Sequence, residues 1–160
     1  MGNSRLNIDN DVKFDPKARP VPYNYRISYK VSQLCLILHI CCTRGGCTFP
    51  KLHLLAAALL SESELQKIID VCNHDADYML PIIRFDPAVS AALQFAIADG
   101  FISQSTNQTV RLTDKGKQFS RKIMEDTELM CTEKSILKGI GSKLTNQKVK
   151  AISDAMEANL

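Results

Sequence analysis

No apolar stretch in this chain is long enough to cross a bilayer. The longest runs, Leu34–Cys42 and Leu52–Leu60, fall well short of the ~20 residues a membrane span needs. The first residues, Met1–Asp11, are polar and lack the apolar core of a secretory signal, so the chain is read as cytoplasmic. A strong excess of one charge is also missing. Twenty Lys and Arg stand against 17 Asp and Glu, a net charge of +3, which is too mild to demand a nucleic acid or a membrane as partner. Any basic surface has to come from uneven placement. The spacing of a phosphate-binding loop is absent as well: Gly139-Ile-Gly141-Ser142-Lys143 has its ingredients without its order or a preceding strand. Nor does any pair of acidic residues lie in an apolar context that would separate their pKa values for acid–base work.

What remains is an ordinary composition, 45% apolar and 23% charged over 160 residues. A chain of this length buries ~70% of its unfolded surface and needs no metal or disulfide to hold it. The six cysteines are read as thiols in a reducing compartment. Cys35, Cys41, Cys42, Cys72 and Cys131 lie among apolar residues, where cysteine packs as a small hydrophobe. Cys47, in Arg44-Gly45-Gly46-Cys47, is expected to be the one surface thiol.

Residues 1–22 carry Pro16, Pro20 and Pro22 with Val12 and Phe14 as bulky anchors, and read as an extended arm without a core. From Ile27 to Cys42 apolar residues recur at three- and four-residue steps and widen until the helix is apolar nearly all round. Such a helix lies at the centre of a domain or against a second subunit. Gly45-Gly46 ends it. Helices follow at about Phe49–Leu60 and Glu62–Cys72, and then a loop with a short edge strand within Tyr78–Ile83. Asp86-Pro87 opens another helix, closed by Gly100. Phe101–Ser105 and Thr109–Leu112 flank a polar turn and predict a hairpin. Thr113 caps a helix running to about Met130, and two short helices complete the chain, about Glu133–Lys138 and Asn146–Met156. The fold class is therefore mainly α with a small β-hairpin: a winged-helix domain over residues 23–130, then a basic helical tail over 131–160.

Three constellations invite a chemical reading. His39, Cys41, Cys42, Cys47 and His53 fall close together, but adjacent cysteines about 100° apart on a helix do not serve one tetrahedral metal. His74 with Asp75 and Asp77 lacks a fourth ligand and reads as a solvated loop. Cys47 and His53 have nothing to orient the imidazole or to form an oxyanion site. Catalysis, metal and cofactor are thus not expected.

In a winged-helix DNA reader, the helix before the hairpin presents cationic or amide side chains to base edges. Here that helix, Asp86–Asp99, has no Lys or Arg, one Gln94, and a carboxylate at each end. It is made to pack rather than to read bases. Positive charge lies elsewhere, in Arg111, Lys115, Lys117 and Arg121 after the second hairpin strand and in Lys138, Lys143 and Lys148 along the tail. These residues are the candidates for weak, salt-sensitive contact with a nucleic-acid backbone.

Four stretches together resemble the small middle component of bacterial ABC-three-component defence systems, of which Lamassu is the best-known type. They are Phe49-Pro-Lys-Leu-His-Leu-Leu-Ala-Ala-Ala-Leu, Phe85-Asp-Pro-Ala-Val-Ser-Ala-Ala-Leu, Ala98-Asp-Gly-Phe-Ile and Val110-Arg-Leu-Thr-Asp-Lys-Gly-Lys. The tail Leu137-Lys-Gly-Ile-Gly-Ser-Lys-Leu-Thr-Asn-Gln-Lys-Val is similar to that family's closing helices, whereas the turn Cys41-Cys42-Thr-Arg-Gly-Gly-Cys47 departs from its pattern. The resemblance covers about Arg26 to Ile152. It implies a non-catalytic adaptor in a hetero-oligomer, joining an SMC-like coiled-coil ATPase to an effector, commonly a nuclease, in defence against phage or plasmid DNA. The competing reading is a stand-alone winged-helix transcriptional regulator, as a monomer or a homodimer. For the adaptor, Leu36, Ile37, Leu54 and Leu55 are expected protein-interface residues because two such apolar helices carry more surface than one small layer hides, and Val12 and Phe14 because an arm that cannot fold alone suits a strand or clasp on a partner.

Overall fold

The computed structural model describes residues 26–42, 46–73 and 80–159. The proposed arm, with Val12 and Phe14, and the loop holding His74, Asp75 and Asp77 lie outside these residues. Helix α1, Ile27–Cys41, is buried on nearly every side from Lys30 to Leu38. It is followed by β1 (Cys47–Thr48), α2 (Phe49–Leu60), α3 (Glu62–Asn73) and α4 (Pro87–Ala98). Strands β2 (Ile102–Gln104) and β3 (Thr109–Leu112) lead into α5 (Asp114–Glu125), α6 (Cys131–Ile140) and α7 (Asn146–Ala158). None of these helices is long and apolar enough to cross a membrane.

The helix starts follow local chemistry. The Asp86 carboxylate accepts from the Ala88 N–H at 2.8 Å with Pro87 in the first turn of α4. Thr113 accepts from the Gly116 N–H at 3.1 Å, and Thr145 from the Lys148 N–H at 3.2 Å. Helix α5 is five residues shorter than its apolar spacing predicts. The Asp126 carboxylate accepts from the N–H groups of Glu128 and Leu129, a local turn that competes with continued helix. Met130 then takes a left-handed conformation, φ +52°, immediately before α6.

The three strands form one antiparallel sheet in the order β1-β3-β2. The hairpin pairs Ile102 with Leu112 and Gln104 with Val110, and β1 adds Cys47 opposite Val110 and Thr48 opposite Thr109. Two expectations need correction here. Residues 80–86 contain no strand, whereas Cys47–Thr48, two residues too few to show any alternation, supply the third strand instead. As a member of that strand Cys47 is fully buried; among the described cysteines the exposed one is Cys131.

Helix α1 packs against α2, α4, α5, α6 and β3. One apolar core includes Leu34, Ile37, Leu52, Leu55, Ala92 and Ile102, and it extends through Leu137, Ile140, Leu144, Val149 and Ile152. Helices α6 and α7 therefore close the same core as the segments before them. This corrects the interface assignment. Leu36, Ile37, Leu54 and Leu55 are at most 1% exposed, because the chain's own later helices cover the surface that seemed to call for a partner. Each such side chain stabilises the fold by ~1.5–3 kcal/mol through burial.

Candidate functional site

Helix α5 is strongly two-faced. Gly116, Ser120 and Ile123 are buried, and Lys115, Lys117, Arg121 and Lys122 are exposed. Its inner face is held in two ways. Gly116 lies so close to the Phe101 carbonyl that a Cβ there would collide with the oxygen. Ser120 donates its hydroxyl to the Gly116 carbonyl at 2.9 Å, with the Cys35 carbonyl of α1 also within 3.3 Å. Cys35 is one turn before His39, so this anchor brings Arg121 beside the last turn of α1.

The result is a cleft of about 380 Å³. It is lined by Leu38 and His39 of α1, by Cys42 and Gly46, by Arg111 and Leu112 of β3, and by Lys117 and Arg121 of α5. Among the described residues no carboxylate lines it. Lys117 has Asp114 4.0 Å away, but that acid is almost fully exposed and the pair contributes little. Gly46 is in the left-handed region, φ +82°, and a side chain there would press on Arg111 Nε and Thr109. Glycine thus leaves room for the Arg111 guanidinium along the wall. Burial, and then the nearby Arg121 charge, hold His39 below the ordinary imidazole value of 6.5. At neutral pH its ring is uncharged, and three formal cations face a carboxylate-free hollow. That arrangement suits a phosphate-like anion, with Arg111 and Arg121 offering forked donors and Lys117 a point charge.

Of the seven basic residues picked from the sequence, the structure gathers Arg111, Lys117 and Arg121 in this cleft. Lys115 is engaged elsewhere: its ammonium donates to the Asp99 carbonyl at 2.6 Å and sits 4.6 Å from the centre of the Phe101 ring. Lys148 donates to the Cys72 carbonyl at the end of α3, at 3.2 Å. Lys138 and Lys143 are exposed on the α6–α7 side and line no part of the cleft. Lys134, one of the tail cations, is buried with its ammonium on the Asp126 carbonyl. His39 and Cys42 were missed as partners of the basic residues. Their sequence context, an apolar helix end, carries no sign of the α5 face packed against it.

Among the described residues no group of three or more His, Cys, Asp or Glu side chains is placed to bind an ion. His53 is used structurally: its Nδ1 accepts from the Asp86 N–H and its ring packs edgewise on Phe85, centroids 4.9 Å apart. The Cys35 and Cys41 thiols are pushed up to about 12 by burial and stay protonated. No protein-family model, curated protein or solved structure matches this chain.

Proposed function

We propose that this chain is a winged-helix adaptor subunit of an SMC-like ATPase defence complex, touching nucleic acid only through phosphates. The observation that carries the reading is a division of labour between two surfaces. Helix α4, which occupies the position of a reading helix before the hairpin, exposes Ser90, Ala91, Gln94 and Phe95 and not one cation. Phe95 is half exposed. Such a face favours contact with protein over contact with phosphates spaced ~1.7 Å apart along a duplex. The cations that a backbone contact needs gather instead behind β3, in the cleft of Arg111, Lys117 and Arg121. The strand order β1-β3-β2, with β1 following the first helix and the hairpin following α4, supports the winged-helix assignment.

The test is co-expression with the products of the adjacent genes, followed by size exclusion and mass measurement. A single heteromeric species containing a coiled-coil ATPase is the expected result, with loss of that species in Phe95→Ser. The reading fails if the chain elutes alone and, at physiological salt, selects one duplex sequence over others through Ser90 and Gln94. That second outcome is what a stand-alone regulator gives.

A further inference from the structure

Cys42, just past the end of α1, lines the same cleft as Gly46, the residue before Cys47 at the start of β1, and the two thiols act directly on one another. Their settings differ. Cys47 is fully buried at the sheet edge, with the Thr48 carbonyl oxygen 3.5 Å from its Sγ. Cys42 is only partly covered and forms part of the wall of the cleft, open to small solutes. Lys51 adds a cation. Its ammonium is fixed on the carbonyl of Cys41, the residue before Cys42, at 3.2 Å.

We propose that Cys42 is a peroxide-modification site and Cys47 its resolving thiol, the two closing to a reversible disulfide between the end of α1 and the start of β1. In the first step the Cys42 thiolate attacks one peroxide oxygen, the O–O bond breaks, and the departing hydroxide takes a proton to become water. In the second the Cys47 sulfur attacks the Cys42 sulfenic sulfur, the S–O bond breaks, and the Cys47 proton leaves with that oxygen as a second water. Two electrons pass from the sulfur pair to one peroxide.

Electrostatics agree with these roles. The Cys47 hydrogen bond, then the Lys51 ammonium, hold the Cys42 thiol below its ordinary value despite its burial. The same hydrogen bond and burial push Cys47 up, so the proton of the pair stays on Cys47. The other described thiols lack this arrangement. Cys35 and Cys41 are buried and pushed up to about 12, and burial also raises Cys72. Cys131 is exposed, with its Sγ on the Thr127 carbonyl at 3.0 Å and no second thiol hydrogen-bonded to it.

The folded, full-length protein treated with a small excess of hydrogen peroxide and then alkylated tests this. The expected product is lighter by about 2 Da before alkylation, has two fewer alkylatable thiols, and reverts with dithiothreitol. Trypsin cleaves after Arg44, so the bond should join peptide Val31–Arg44 to peptide Gly45–Lys51 through Cys42. Cys47→Ser should halt at a sulfenic acid trapped by dimedone on Cys42, and Cys131→Ser should behave as wild type. The proposal is overturned if fragmentation of the wild-type product places the bond on Cys35 or Cys41, if the bond persists in Cys42→Ser, or if the wild type gains oxygen at Cys131 without losing a thiol pair.

Discussion

The backbone N–H of Asp86, cap of α4, donates to Nδ1 of His53 in α2 at 3.1 Å. The bond sets the imidazole tautomer: Nδ1 is the bare nitrogen and Nε2 carries the hydrogen. A second proton could enter only at Nδ1, where it would face the Asp86 N–H. Burial lowers His53 below 6.5, with the Asp86 carboxylate opposing that in part. The folded state therefore binds this proton less readily than the unfolded chain does. Its contribution to stability is complete above the ordinary value of 6.5 and is lost as pH falls below it, through the folded value. The urea midpoint should drop between pH 7.5 and pH 5.5. His53→Asn, which keeps an acceptor near the Nδ1 position, should drop by less. An equal drop in both proteins would show that His53 plays no part.

Two glycines should respond to alanine in opposite directions. Gly116→Ala forces a methyl into the Phe101 carbonyl between the hairpin and α5, and should cost upward of ~2 kcal/mol. Gly139, inside α6, has nothing within 4 Å of a new Cβ. There alanine should stabilise by ~0.5–1 kcal/mol through helix propensity and a less disordered unfolded chain. Chemical denaturation of the two variants beside wild type checks both signs.

For the cleft, Arg121→Ala and Lys117→Ala should each weaken binding of a non-specific oligonucleotide and lower its salt slope by about 1. Lys148→Ala should leave that slope unchanged, since its ammonium is already bound to the Cys72 carbonyl. Fluorescence anisotropy across a salt series separates the cases. Equal losses in all three would mean that contact is spread over the surface and the cleft has no special part.

The relocated core makes its own prediction. Leu55→Ala removes a fully buried side chain and should cost ~2–5 kcal/mol. Phe85 is 63% exposed, and Phe85→Ala should cost less than about 1 kcal/mol, chiefly its edge contact with His53. Thermal or urea unfolding of both variants is sufficient to decide.

Most helix boundaries were legible in the sequence because the chemistry that sets them is local. Thr48, Asp86, Thr113 and Thr145 each precede a helix start by one residue. What escaped notice depends on residues far apart. Strand β1 exists only because Val110 and Thr109 stand opposite Cys47 and Thr48. Helices α1 and α2 look like surplus apolar surface until α6 packs on the first and α7 on the second. The cleft was half legible. Arg111, Lys117 and Arg121 could be picked by charge and position, whereas His39 joins them only through the packing of α1 on α5. Lys115 and Lys148 have the right charge, but nearby carbonyls bind them first.

Because α1 is surrounded partly by α6, its apolar surface is made early in synthesis and covered late. A ribosome releases the Leu34–Leu38 segment about a hundred codons before Leu137 and Ile140 exist to shield it. The nascent chain must therefore wait in an adhesive state, and its yield in a cell should depend on holdase chaperones more than its finished stability would suggest.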